Sequence, residues 1–232
     1  MAELAIVIPV FNAYHHTRPC LNDMARLPKS HTVIIVDNGS TDATKDLKSV
    51  DNILVYHLEK NWGFASACNY GYEVARNLSD NVMFLNNDIK VMNNHSLWTY
   101  PIINKCKDGL IGPTICVLDD FFDYLCSGSK LPSNRKNVYM SGWCISSSVE
   151  NWEKLKTKKI RFSDGPFSEE FFVFFEDADL GFRAKQLGIP FIIEEIPVRH
   201  FGHATAKNMN ISKLYQNSKK IFTEKWAKKD SL

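Results

Sequence analysis

The chain of 232 residues lacks any apolar run near the ~20 residues that span a bilayer. Residues 1–10 also lack the basic region and the cleavage-type site of a secretory signal. We therefore interpret them as the first core strand and expect a cytoplasmic protein. Apolar residues make up 44% of the chain and aromatic residues 12%, which is enough for a large globular core.

Several common functional signatures are missing as well. The six cysteines form no Cys-x-x-Cys pair, so neither a zinc ribbon nor a thioredoxin-like site is supported. No Gly-x-Gly-x-x-Gly follows the first apolar run, and no Gly-x-x-x-x-Gly-Lys-Ser/Thr occurs, so a dinucleotide fold and a P-loop enzyme are not indicated. The net charge of +2 is too small to argue for nucleic acid as a partner.

What the first half does contain is a parallel α/β pattern. Short runs rich in valine and isoleucine at 4–10, 32–36, 53–57 and 82–85 are separated by segments of helix length. Because these runs are apolar on both faces, they predict a sheet covered by helices on each side. Residues 1–110 would form this half of one continuous domain.

Polar residues follow each of these four runs, where the strands would end. Ligands of such sheets bind outside the carboxyl ends of the strands, so these residues are the candidates for chemistry. They are Phe11-Asn12, Asp37-Asn38-Gly39-Ser40, Asn61-Trp62-Gly63 and Asn86-Asn87-Asp88.

The acid after the second run has two interpretations. Asp37 could belong to a turn that enters a helix capped by Ser40 or Thr41. Alternatively, its carboxylate could accept a hydrogen bond from a base imide or a ribose hydroxyl. The residues alone leave both open.

The acid after the fourth run is similarly ambiguous. Asp88 could close a turn, or it could hold a hard divalent cation that bridges two phosphates. In the second case His200 or His203 could supply a nitrogen ligand, although a single histidine is more often a surface or core residue. We rank His200 above His203.

An acidic cluster stands at the end of an aromatic run in 171–183. Glu176, Asp177 and Asp179 follow directly on four phenylalanines. Buried carboxylates are costly, so acids in such a place are usually paired, metal-linked or catalytic. They also suit the first turn of a helix predicted over 177–187, where the helix dipole favours negative charge. Asp179 and Arg183 are spaced to form a structural pair on that helix.

The remaining segments predict shorter elements. Residues 137–148 are the clearest extended piece after residue 110, and a strand is predicted at 191–196. Residues 206–232 carry seven lysines against two acids, and 211–228 have the spacing of an amphipathic helix. This basic helix could pack its apolar face on the domain, or bind an anionic membrane.

Taken in order, these motifs resemble the family 2 glycosyltransferases of the GT-A fold, in particular rhamnosyltransferase-like members. The resemblance covers most of the chain. In the first half it rests on Ile8-Pro-Val-Phe-Asn12, Val36-Asp-Asn-Gly-Ser-Thr-Asp42, Asn61-Trp-Gly-Phe-Ala-Ser-Ala-Cys-Asn69-Tyr-Gly71 and Phe84-Leu-Asn-Asn-Asp88. In the second half it rests on Ser141-Gly142, Phe175-Glu-Asp-Ala-Asp-Leu-Gly-Phe-Arg183, His200 and Phe222-Thr-Glu-Lys-Trp226.

The resemblance implies a mainly parallel Rossmann-like sheet with a smaller mixed acceptor-side sheet spanning about 111–205. It implies an inverting enzyme that moves a sugar from a UDP- or dTDP-sugar to a hydroxyl of a glycan or lipid-linked glycan in surface polysaccharide synthesis. Mn²⁺ or Mg²⁺ would be the cofactor. Asp177 would act as the base, with Glu176 beside it.

The site residues implied by the resemblance form three groups. The metal ligands would be Asp88, His200 and His203. The nucleotide would contact Pro9, Val10, Phe11, Asn12, Asp37, Asn38, Asn61, Gly63, Asn69 and Asn87. The acceptor would contact Gly142, Trp143 and Glu176.

One departure from the family pattern keeps an alternative open. Asn86 stands where the metal motif often has its first acid, so a non-catalytic protein that binds a nucleotide sugar or glycan is a second hypothesis. A sugar nucleotidyltransferase is a third, but Pro9-Val-Phe-Asn12 lacks the basic glycine-rich loop such enzymes carry after the first strand.

Overall fold

A computed structural model describes residues 1–133, 136–162, 164–202 and 210–227. Its strands are β1 (Leu4–Val10), β2 (His31–Asp37), β3 (Ile53–His57), β4 (Asn81–Leu85), β5 (Ile89–Val91), β6 (Leu110–Gly112), β7 (Ile115–Leu118), β8 (Tyr124–Gly128), β9 (Val138–Met140), β10 (Cys144–Ser148), β11 (Phe191–Ile193) and β12 (Val198–His200). The helices are α1 (Tyr14–Met24), α2 (Phe64–Ala75), α3 (Tyr100–Ile103), α4 (Val149–Lys154), α5 (Glu176–Gln186) and α6 (Ile211–Trp226).

The main sheet has seven strands in the order β11-β6-β10-β4-β1-β2-β3. Strands β1 to β4 pair in parallel, as do β6 and β11, whereas β10 runs antiparallel between β4 and β6. The prediction of a mainly parallel sheet is confirmed. The antiparallel β10 matters for the site, because its first residues lie at the edge where the parallel strands end.

Helices cover both faces of this sheet, which is why β1 is buried along its whole length. Side chains alternate between the faces of a strand. Ala5 and Val7 pack with α2 on one face, while Leu4, Ile6 and Ile8 pack with α1 and α3 on the other. Burying each of these larger side chains contributes about 1.5–3 kcal/mol.

Four local predictions need correction. The segment between β2 and β3 holds no α-helix but a short 3₁₀ turn, Ala43–Asp46. Its cap is Asp42, not Ser40 or Thr41, because Ser40 already accepts a hydrogen bond from the Asn12 amide. Residues 137–148 form two strands, β9 and β10, separated by a turn, and the strand predicted at 191–196 ends at Ile193.

Helix α6 packs against the domain. Phe222 is fully buried and Trp226 is 4% exposed, in a cluster with Phe171 and Phe175. Lys219 pairs with Asp123 on the surface. These contacts favour the packing interpretation of this helix over the membrane interpretation. Within the described ranges, no helix is long and apolar enough to cross a membrane.

Two small antiparallel sheets complete the fold. One has the order β8-β7-β9, and the other pairs β12 with β5. In the second sheet His200 stands opposite Ile89, the residue after Asp88. A histidine more than 100 residues away in sequence is thus fixed beside the end of β4.

Candidate functional site

The ends of β1 and β2 are tied together by side chains. Asn12 and Ala13 both have left-handed backbone conformations. In this turn the side-chain oxygen Oδ1 of Asn12 accepts hydrogen bonds from the amides of Thr41 and Asp42, and Asp42 Oδ2 accepts one from the Tyr14 amide at 2.8 Å. The predicted nucleotide-side residue Asn12 therefore shapes the rim of the sheet with its side chain.

Asn38 joins the end of β2 to the loop before α2. Its Nδ2 donates to Asn61 Oδ1 and to the Gly63 carbonyl, and its Oδ1 accepts from the Trp62 amide at 2.9 Å. Gly63 has a φ of 93°, and a Cβ there would lie 2.5 Å from the Phe172 carbonyl oxygen. Only glycine fits this close approach.

Asp37 is only 2% exposed at the end of β2. Its Oδ1 accepts a hydrogen bond from the Ser40 amide, and its Oδ2 lies 2.8 Å from Nδ1 of His57. The hydrogen bond to Asp37 raises the pKa of His57. Each carboxylate oxygen can accept a second bond, so Asp37 retains acceptor capacity for a ligand.

Asp88 and His200 are brought together as predicted for a metal pair. Asp88 is 4% exposed, and its Oδ1 lies 3.0 Å from Nε2 of His200. Nδ2 of Asn86 is 3.2 Å from the same imidazole nitrogen. Among the described residues there is no group of three or more acidic, cysteine or histidine side chains suited to a metal.

The acidic cluster begins α5 after a strained turn. Phe174 and Phe175 both have a φ of 68°, which costs of order 1–3 kcal/mol for each bulky residue. Strain of this kind is characteristic of functional sites. It places Glu176 and Asp177 in the first turn of the helix, where no side chain caps the N-terminus.

The two acids at this end have unusual electrostatics. Burial and the neighbouring charge of Asp177 raise the pKa of Glu176 to about 8, and burial also raises the pKa of Asp177. Asp177 accepts hydrogen bonds from the Gly142 and Ala178 amides, both at 2.9 Å. Glu176 Oε2 is buried and has no hydrogen-bond partner among the described residues.

Two consecutive residues connect this acid pair to His200 and the end of β4. The Gly142 amide bonds to Asp177, while the Trp143 carbonyl accepts from the Asn86 amide at 2.8 Å. The indole of Trp143 stacks on His200, with ring centroids 4.8 Å apart and planes 4° from parallel. A Cβ on residue 142 would lie 3.0 Å from the Asp177 Cβ, so glycine allows the carboxylate to approach.

Asp179 is separate from this chemistry. It is fully buried and accepts hydrogen bonds from Arg183 Nε at 2.8 Å and Trp226 Nε1 at 2.9 Å, with Lys225 also at 2.9 Å. The predicted pair with Arg183 is present. Asp179 fastens α5 to α6, and its carboxylate is committed to structure.

Some predicted site residues serve other contacts. Both amide atoms of Asn69 bond to the Phe167 backbone, and Asn87 donates to Thr17, so we leave these two out of the proposed site. Trp143 is 9% exposed with one face on His200, which restricts its part in acceptor binding. His203 lies outside the described residues.

The remaining nucleotide-side predictions lie on one rim. Pro9 and Val10 end the buried β1, and the Val10 carbonyl accepts from the Asn38 amide at 2.8 Å. Phe11 follows in the half-buried turn.

Two residues contact the predicted acids in ways that the sequence analysis did not predict. His57 contacts Asp37, and it stands opposite that residue in the β2–β3 register. The sequence could have indicated the contact between His57 and Asp37, because His57 is the last residue of the third predicted strand. Trp226 donates a hydrogen bond to Asp179, which lies 47 residues earlier in the chain. No local sequence pattern indicates this contact.

Comparison with known sequences gives a consistent result. Residues 5–125 match the family model described as Glycosyl transferase family 2. A stretch of 92 residues is 29% identical to Glycosyltransferase GlyA of Streptococcus pneumoniae serotype 4, covering 37% of this chain and 13% of that protein.

Solved structures show the same fold. The mannosyltransferase PcManGT from Pyrobaculum calidifontis, in complex with GDP-Man and Mn²⁺, is similar with a TM-score of 0.58 and 17% identity, over 83% of this chain and 54% of that chain. S. aureus TarS 1-349 is similar with a TM-score of 0.53 and 18% identity, over 84% and 59%. This chain spans less than two thirds of each relative's length. The likeness confirms the GT-A fold.

Proposed function

This chain belongs to glycosyl transferase family 2, and on that premise we propose that it moves one sugar from a nucleotide diphosphate donor to a hydroxyl of a glycan or lipid-linked glycan. The transfer inverts the anomeric carbon and contributes to a surface polysaccharide. The observation that carries this proposal is the Gly142-Trp143 link, which joins the proposed base to the proposed metal pair.

In this mechanism the acceptor hydroxyl loses its proton to Asp177 as its oxygen attacks the anomeric carbon. The bond from that carbon to the diphosphate oxygen breaks, and the nucleoside diphosphate leaves with the bonding electrons. A raised pKa suits Asp177 as a base near neutral pH. The two backbone amides that bond to it hold its orientation.

The nucleoside would lie against the rim formed by Asp37, Asn38 and the turn at Asn12. Asp88 and His200 fit Mn²⁺ or Mg²⁺, since one carboxylate oxygen and one imidazole nitrogen stand 3.0 Å apart and the diphosphate would complete the ligand set. Such an ion, when bound, offsets the negative charge on the diphosphate.

A thermal-shift panel tests this proposal. UDP-, dTDP- and GDP-sugars are compared with and without Mn²⁺, the GDP-sugars because PcManGT was solved with GDP-Man. A bound donor stabilises the folded state, so at least one donor should raise the Tm further when Mn²⁺ is present. Asp88→Asn should lose the Mn²⁺-dependent part, while the exposed Asp108→Asn should retain it.

The same panel can contradict the proposal. If no donor shifts the Tm, the assignment of this rim fails, and if Asp88→Asn retains the full Mn²⁺ effect, the assignment of Asp88 as a metal ligand fails. A donor that binds without any turnover would instead support the non-catalytic hypothesis.

A further inference from the structure

Strand β8 differs from its neighbours in exposure. All five of its residues are exposed, whereas β9 is buried throughout and β7 almost so. Tyr124 is 54% exposed and Leu125 63%, and Phe121 in the preceding turn is 78% exposed. In the described part of the chain, β8 is the outer strand of its sheet, so its free edge and both of its faces meet solvent.

Exposed sheet edges are normally protected. Lysine, proline, inward charges or a bulge keep another strand from pairing there. The residues of β8, Tyr-Leu-Cys-Ser-Gly, include no charged residue and no proline. A register shift in its pairing with β7 lies at the Tyr124 end, which leaves 126–128 in regular register. An uncharged edge with exposed apolar side chains is a template for an added strand.

The charges at the two ends of β8 indicate what that strand is. Asp119, Asp120 and Asp123 precede the strand and outnumber Lys136 and Lys219, the two lysines of the same chain that pair with Asp120 and Asp123; the exposed Lys130 follows the strand. In an antiparallel pair of two copies, the acidic end of each strand meets the lysine end of the other. A parallel pair would instead bring like charges together. The edge is therefore complementary to itself about a two-fold axis.

We propose that β8 is a homodimer interface, in which the edge strands of two copies of this chain pair antiparallel about Ser127, the middle of the regular segment 126–128. The interface is small, since five residues bury less than the ~1,600 Å² of a standard interface. We therefore expect the dimer to form at high protein concentration and to dissociate on dilution.

Light scattering over a dilution series tests the proposal. The wild-type mass should rise from 26.5 kDa toward twice that value as the concentration increases. Leu125→Lys, which adds a charge to the edge, should stay monomeric. The matched control Leu187→Lys changes a leucine that is 54% exposed at the end of α5, and it should behave like wild type. A wild-type monomer at every concentration, or equal dimerisation by Leu125→Lys, would overturn the proposal.

Cross-linking tests the pairing itself. Cys126 is exposed and the other five cysteines are buried, so a short bis-maleimide should link two copies only through Cys126. Wild type should give a dimer band that Cys126→Ser removes and Leu125→Lys weakens. Dimers that form without this link would contradict the antiparallel arrangement. Neither measurement depends on a sugar donor, so their outcome is independent of the proposed transfer reaction.

Discussion

Asn38 at the end of β2 and Glu176 at the start of α5 are similarly buried, with 3% and 7% exposure, but their surroundings differ. Asn38 makes three hydrogen bonds through its side chain. Glu176 has a buried oxygen without a partner in the described residues. An unsatisfied buried polar atom costs about 1–3 kcal/mol.

In the proposed function, this difference separates the scaffold from the end of the site that reacts. The strand-end rim satisfies its own polar groups and is thereby held in one shape. The start of α5 keeps carboxyl groups in an unfavourable environment, after two strained phenylalanines. Binding of a ligand or a proton stabilises such groups most. A general base must likewise be able to take up a proton.

The largest expected effect comes from removing the proposed base. Asp177→Asn should lower turnover by about 10²–10⁴-fold, because a general base contributes roughly that factor. Donor binding, followed by Tm shift, should be nearly unchanged, since the rim is intact. Wild-type turnover in Asp177→Asn would remove Asp177 from this role.

The next largest effect is expected on stability, when the neighbouring acid Asp179 is replaced. Asp179→Ala removes the carboxylate that accepts hydrogen bonds from Arg183 Nε and Trp226 Nε1, and we expect a loss of about 3–5 kcal/mol in the free energy of unfolding. Urea denaturation measures it. Glu170→Ala is the control, because this half-exposed acid also pairs with Lys225 and should cost less than about 1 kcal/mol. Equal losses would contradict the structural role assigned to Asp179.

Glu176 should produce a pH-dependent effect. Its pKa rises on folding from 4.5 to about 8, because burial and then the charge of Asp177 disfavour ionisation. Between these values the folded state holds a proton that the unfolded state has lost, so stability falls as pH rises. Glu176→Gln should therefore gain Tm relative to wild type across this range. The exposed Glu195→Gln should run parallel to wild type, and an identical pattern in both variants would contradict the prediction.

The smallest effect tests the rim. Both ring nitrogens of His57 face acceptors, Asp37 at 2.8 Å and the Leu47 carbonyl at 3.0 Å, so the protonated ring fits best. The bond to Asp37 raises the pKa of His57, which means that its contribution is complete below the ordinary value of 6.5 and is lost as pH rises through the folded value.

His57→Gln measures this contribution. It should cost less than about 1 kcal/mol at low pH, because an exposed ion pair is screened by solvent, and less still at high pH. Urea denaturation at both pH values provides the test. A loss that grows with pH would have the wrong sign.

Local patterns predicted much of the fold. The strands at 4–10 and 53–57 were predicted with their observed bounds, because runs of branched apolar residues end there at polar ones. The Asp179–Arg183 pair followed from the spacing of four residues on a helix. Contacts set by tertiary packing were not predictable in this way, as Trp226 on Asp179 shows.

The candidate site shows the same division. The resemblance brought together the residues that the structure places near one edge, Asp88 with His200 and Gly142 with Asp177. It did not reveal that the side-chain amides of Asn69 and Asn87 donate hydrogen bonds within the protein, because chain positions alone do not show where side chains point. The helix predicted between β2 and β3 is a similar case, because the segment is long enough for a helix but forms a 3₁₀ turn instead.

The position of β10 has a consequence for dividing this protein. Residues 144–148 lie between β4 and β6, so a fragment ending just after residue 112 would contain both neighbours without the strand that joins them. Such a fragment would expose two unpaired strand edges and invite aggregation. Co-expressed pieces cut at that point would have to reassemble by strand insertion, which makes the chain a poor subject for splitting into a nucleotide module and an acceptor module.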